Sequence, residues 1–124
     1  MTFINAQVPL WRSPLLTALG VNHGFTTRAG GVSVGRFATL TLGTTWGDDP
    51  AASSENLRRV AATAGFAAEA LCTVVQVHEA QVVAVTKPER RAQQADGLVT
   101  AAPLPLGVLS ADCVSLLLAD GRGR

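Results

Sequence analysis

Apolar residues come mostly in short runs broken by glycine, proline and small polar residues, the pattern of a sheet-rich domain with brief connections. Residues 14–20 suit a short helical turn. Residues 23–28 have the β-branched and aromatic content of a strand, residues 37–42 alternate as a second, and residues 29–35 between them form a glycine-rich loop. One segment has helical period instead. The turn Gly47-Asp48-Asp49-Pro50 leads into a helix reaching about Ala64, with Asp49 as N-cap, Pro50 in the first turn and Gly65 as the stop. Leu57, Val60, Ala61 and Ala64 share one face of that helix, and Glu55, Arg58 and Arg59 belong to its exposed side. Residues 71–77 and 81–85 read as strands, and His78-Glu79-Ala80 is short enough to join them as a hairpin. Residues 96–100 read as a short strand, and residues 106–110 and 114–119 as buried ones. Many strands with one clear helix predict an α/β (α+β) protein of layered, mixed β-sheets with flanking helices.

Composition narrows the class. A chain of 124 residues, 48% hydrophobic and 15% charged, suits one domain with a true core and is too apolar for disorder. The net charge is +1, Lys87 is the sole lysine and the arginines are scattered, so no nucleic-acid surface is indicated. Two cysteines, Cys72 and Cys113, are too few for a disulfide scaffold and read as free thiols, one buried and one functional. The start lacks the basic and apolar regions of a signal peptide. The longest apolar stretch, residues 101–119, is interrupted by Pro103, Pro105, Gly107, Ser110, Asp112 and Ser115, so no clean membrane span exists. The expectation is a soluble cytoplasmic protein.

Few side chains can carry soft-metal or nucleophilic chemistry. His78 follows a strand, from which a side chain can project off a rigid base, and Cys113 lies between two apolar runs beside Asp112. A carboxylate in such surroundings needs a partner, and Asp112 could anchor structure, orient a histidine or act as an acid or base. A buried cysteine is equally at home as a small hydrophobe. His78 and Cys113 are 35 residues apart, and their spacing alone does not bring them together. The Arg28-Ala29-Gly30-Gly31-Val32-Ser33 loop pairs a cation with adjacent glycines, a combination that can admit an anion to backbone N–H groups; a plain glycine turn is the alternative. His23, just before it, reads as structural.

Several segments together resemble the YfiH, or laccase-domain (multi-copper polyphenol oxidase-like), family. They are His23-Gly24-Phe25-Thr26-Thr27-Arg28-Ala29-Gly30-Gly31-Val32-Ser33, Leu40-Thr41-Leu42-Gly43, Gly47-Asp48-Asp49-Pro50, Glu55-Asn56-Leu57-Arg58-Arg59, Gln76-Val77-His78, Ala95-Asp96-Gly97-Leu98-Val99-Thr100 and Ala111-Asp112-Cys113-Val114. Each is weak alone; their order and spacing make the resemblance specific from about residue 20 onward. Glu79, Thr41 and Ser115 depart from the family's usual small residue, asparagine and proline.

The resemblance implies a layered α/β fold and a zinc site of two histidines and one cysteine, with copper the less favoured metal. His78 and Cys113 match two of those ligands, and the third belongs to a His-Ala-Gly-Trp-Arg-Gly motif that this sequence does not contain. Residues 1–124 are therefore expected to be the N-terminal portion of a single YfiH-like domain whose C-terminal half is missing. The implied activity is phosphorolysis of purine nucleosides (adenosine, inosine, methylthioadenosine) with adenosine deamination. Purine nucleosides and phosphate are the partners, and a complementing C-terminal fragment is a further one. Arg28, Gly30, Gly31 and Ser33 would bind substrate, and Asp112 and Cys113 would be catalytic. The alternative is a Cys–His hydrolase of peptidoglycan precursors, with Cys113 as thiolate and His78 as its base. A true multicopper site needs many histidines, and this chain has two. Alone, the 124 residues are expected to be inactive.

Overall fold

The structure, a computed structural model, describes residues 1–43 and 45–122. It divides into two compact units, Met1–Gly65 and Phe66–Arg122.

In the first unit, strands β1 (Thr2–Ile4), β2 (Leu10–Arg12) and β3 (Phe25–Thr26) form an antiparallel sheet in the order β1-β2-β3. Phe3 faces Trp11 across β1 and β2, their rings 4.9 Å apart and tilted, a pairing that adds to simple area burial. Helix α1 (Pro14–Ala18) follows β2 and begins on proline, as its sequence predicts. Residues 37–42 are not the predicted strand: Gly35–Phe37 form a 3-10 turn and the chain continues through turns to Leu40. Alternation there gives way to turn bonds, Phe37 N–H to Val34 O and Ala38 N–H to Gly35 O.

Helix α2 (Pro50–Ala64) forms as its local signals require. The Asp49 carboxylate accepts from the Ala51 N–H, satisfying one of the donors left free in the first turn, and Gly65 closes the helix in the left-handed region at φ 84. Its buried face holds Val60 and Ala61 together with Ser53 and Asn56, so the face is part polar. On the flank, Arg58 and Arg59 both donate to Glu55, and these bonds, Arg58's first, hold the Glu55 carboxyl down at about 2. Arg59 is not free on the exposed side: it also donates to the Gly30 carbonyl. Val8, Leu10 and Leu40 are the unit's other buried large apolar residues.

In the second unit the predicted hairpin does not form. Strand β4 (Thr73–Val75) pairs in parallel with β6 (Arg90–Gln94), and β5 (Val82–Ala84) pairs in parallel with β7 (Gly97–Val99). Successive strands therefore alternate between two small sheets, and residues 76–81 cross from one to the other. The core explains the interleaving. Val74 of β4, Val83 of β5 and Ala95 between β6 and β7 are buried in one cluster, with Leu98 of β7 packed against it. Strand β6 has no apolar run, and its residues are exposed; backbone pairing to β4 makes it a strand. Residues 106–110 and 114–119 are not buried strands. Leu106 makes an isolated parallel bridge with Cys72, whereas Val114, Leu116 and Leu118 are 89%, 75% and 87% exposed. Among the described residues, no helix is long and apolar enough to cross a membrane.

Candidate functional site

Two loops hold the residues singled out by sequence, one in each unit. The glycine loop comes first. Arg28 donates from Nε and Nη2 to the Ala38 carbonyl at 3.0 and 2.7 Å, and the Arg28 carbonyl accepts from Thr39 and Leu40 N–H and from Thr39 Oγ1. Four of the loop's N–H groups bond within the protein. Ala29 donates to Thr27 Oγ1, Gly31 to Thr39 Oγ1, Val32 to Asn56 Oδ1 and Ser33 to the Thr39 carbonyl. Gly30 is glycine because it sits at φ 97 and a Cβ would run into the backbone of Gln7 and Val8. A Cβ on Gly31 would meet the Thr39 carbonyl and Asn56 Oδ1. Ser33 is buried, donating to Asp48 Oδ2 at 2.6 Å and accepting from Asn56 Nδ2 at 2.8 Å. Both glycines and Ser33 thus have a structural use, and the N–H groups of Ala29, Gly31, Val32 and Ser33 are already occupied. Arg28 stays exposed.

Asn56, fully buried, is the hub of this arrangement: it accepts from Val32 and donates to Ser33 Oγ and the Thr41 carbonyl. Sequence alone marks no role for Asn56, and it reads the Asp48 turn as helix capping first and substrate contact second. The available signal is helical period, which sets Asn56 four residues before buried Val60 on the apolar face. His23 bridges the Ser13 N–H and the Val21 carbonyl, so it is structural as expected.

The His78 loop is built differently. Val77, His78 and Glu79 donate their backbone N–H groups to the carboxylate of Asp96, at 2.9, 2.8 and 2.7 Å. These donors, Glu79's foremost, hold the Asp96 carboxyl below its ordinary range. His78 adopts φ 61, a left-handed conformation that costs a residue with a Cβ about 1–2 kcal/mol. Gathering three N–H groups onto one acceptor offsets that cost. The bonds go through the backbone, and the His78 side chain lies exposed.

Cys113 is reached through the same strand. Cys72 N–H donates to the Pro105 carbonyl and Gly107 N–H to the Cys72 carbonyl, so residues 105–107 run parallel to the start of β4. Four residues on, the Gln76 amide closes a two-way bond with the Leu109 backbone, donating to its carbonyl and accepting its N–H, both at 2.8 Å. The two segments run in one direction, with His78 two residues past Gln76 and Cys113 four residues past Leu109. Ser110 Oγ closes the last turn on the Cys113 carbonyl. Cys113 is an exposed free thiol, not a residue between buried runs, and Cys72 is the buried one. Asp112 is exposed as well, so its carboxylate carries no burial cost and needs no buried partner.

An imidazole and a thiolate suit zinc in donor type. In number they fall short of a closed site: among the described residues, no three of His, Cys, Asp and Glu come together as a metal-binding group.

The family model for multi-copper polyphenol oxidoreductase laccase matches residues 22–124. The chain is 47% identical over 114 residues to a purine nucleoside phosphorylase of Deinococcus radiodurans, covering 91% of this chain and 43% of that protein. It is 48% identical over 99 residues to a purine nucleoside phosphorylase of Mycobacterium tuberculosis, covering 78% and 40%. The chain thus spans less than half the length of these relatives. The crystal structure of YlmD from Geobacillus stearothermophilus aligns with a TM-score of 0.60 at 38% identity, over 64% of this chain and 33% of that one. Its likeness supports the α/β class. With its ordered motifs inside the matched region, the chain belongs to the multi-copper polyphenol oxidoreductase laccase family.

Proposed function

We propose that these residues form part of a zinc-dependent purine nucleoside phosphorylase acting on adenosine, inosine and methylthioadenosine, with adenosine deaminase activity. Relatives named purine nucleoside phosphorylase support the enzyme class. The observation that supports the site is that the segment leading to Cys113, an exposed thiol, is bonded through Gln76 beside the strand that leads to His78, an exposed imidazole. His78 and Cys113 would be two of three zinc ligands, the third coming from the His-Ala-Gly-Trp-Arg-Gly motif implied by the family resemblance. Bound zinc would supply a Lewis acid for polarising substrate and activating water. The chain's own residues would do the rest. Arg28, exposed, would meet phosphate with guanidinium N–H donors beyond those spent on Ala38, while Gly30, Gly31 and Ser33 hold its loop in shape. Asp112, in water beside Cys113, would move a proton at its carboxylate. Two protein ligands hold zinc weakly, so residues 1–124 alone are expected to be inactive without a complementing C-terminal segment.

The exposed thiol favours one second reading, a Cys–His hydrolase of peptidoglycan precursors with Cys113 as nucleophile. One experiment separates the two. Zinc stoichiometry and phosphate-dependent release of adenine from adenosine are measured on the full-length protein, on residues 1–124, and on His78→Ala and Cys113→Ala variants. Zinc and phosphorolysis in the full-length form only, both lost in either variant, is the expected result. A metal-free protein whose Cys113 is rapidly alkylated and whose activity ignores phosphate would replace this reading with the hydrolase.

A further inference from the structure

The His78 turn and the segment leading to Cys113 are each held by a polar side chain outside the ligand set. For His78 the critical feature is a left-handed turn, which this chain builds without glycine. Asp96 reaches back 17 to 19 residues to accept all three N–H groups of that turn. For Cys113 the critical feature is the course of the preceding segment, which meets β4's lead-in through an isolated bridge at Leu106. There the Gln76 side chain takes over, offering one donor and one acceptor to Leu109 as a neighbouring strand's backbone would. Neither bond set belongs to a strand ladder, and neither lies in the apolar core of Val74, Val83 and Ala95.

We propose that Asp96 and Gln76 are positioning residues for the two ligands: Asp96 holds the His78 loop, and Gln76 docks the segment leading to Cys113 onto the same strand. The inference rests on the zinc reading of His78 and Cys113. Its chemistry is specific to the groups present. Asp96→Asn keeps the volume but replaces one acceptor oxygen with a donor that opposes a loop N–H. Gln76→Glu keeps the acceptor for the Leu109 N–H and turns the donor into an acceptor facing the Leu109 carbonyl. Both variants leave the ligands and the core in place while loosening the ligands' mutual geometry, as loss of outer partners does in metal sites generally.

The test is zinc affinity of the full-length protein by chelator competition, with the cobalt(II) absorption spectrum reporting thiolate coordination. Wild type, Asp96→Asn, Gln76→Glu and the core variant Val83→Ala are compared, each with its melting temperature. Asp96→Asn and Gln76→Glu should weaken zinc by about 10- to 100-fold and disturb the cobalt thiolate band. Val83→Ala should lower the melting temperature and leave both metal readouts unchanged. The inference is overturned if the two polar variants bind zinc as wild type does, or lose it only in step with melting temperature as Val83→Ala would then also do. Zinc binding by wild type that is indifferent to His78→Ala would instead remove the ligand reading beneath it, which separates the two failures.

Discussion

The glycine loop and the His78 loop use the same device to opposite ends. In each, a side chain from a later segment accepts from the loop backbone and fixes a turn: Asn56 takes the Val32 N–H in the first, and Asp96 takes three N–H groups in the second. In the glycine loop the network also takes in the residues whose chemistry drew attention, with Ser33 buried on Asp48 and two Arg28 nitrogens bound to Ala38. In the His78 loop the network takes only the backbone, and the imidazole is left exposed. A turn can be fully satisfied and still serve chemistry when its bonds run through main-chain atoms. Once side chains are the bonding groups, the same satisfaction consumes the functional atoms.

Substitutions in the two loops should therefore behave differently. The largest effect is expected at Asn56. Asn56→Ala leaves the Val32 N–H, the Thr41 carbonyl and the Ser33 hydroxyl short of a partner in a buried place, and should cost about 3 kcal/mol in urea unfolding. A cost within error of zero would show that water reaches this network and would break the contrast. The opposite sign is expected at His78. Glycine tolerates a left-handed φ, so His78→Gly should raise stability by about 1 kcal/mol while removing the candidate ligand. Destabilisation in the same unfolding experiment would mean that the imidazole is part of the packing.

The smallest effect is a pH dependence on the helix that anchors the glycine loop through Arg59. The Glu55 carboxyl, held at about 2 by Arg58 and Arg59, stabilises the folded state above its ordinary 4.5, and that contribution is lost as pH falls from there through about 2. Melting temperatures of wild type and Glu55→Gln, taken across this range, should converge on acidification. A constant gap would show that these ion pairs add nothing beyond shape, as exposed pairs often do.

How much of this was legible beforehand follows the range of the interactions. Pro14 at the start of α1 and the Asp49, Pro50 and Gly65 signals of α2 were readable because helix ends are settled by neighbours within a few residues. The residue types of the candidate site, His78 and Cys113, were readable for their chemistry, and the ordered motifs for their family. The hairpin expectation failed because a short connection says which strands are adjacent in sequence, whereas the shared burial of Val74, Val83 and Ala95 favoured two parallel pairs. Strand β6 was invisible to a search for apolar alternation because its strand character comes from pairing. The apolar run 114–119 was expected to be buried, but hydrophobicity states only what surroundings a residue favours.

By itself, then, the sequence determined the capped helix, the sheet-rich α/β class, the inventory of imidazole, thiol and guanidinium groups, and the family. Those depend on local geometry or on side-chain identity. Only the tertiary structure decided that Gly30, Gly31 and Ser33 serve packing, that Asp112 and Cys113 lie in solvent, and that Asp96 and Gln76 bond the His78 turn and the segment leading to Cys113. Each of those depends on which distant backbone atom a side chain meets, and a contact across 17 or 33 residues leaves no periodic trace along the chain.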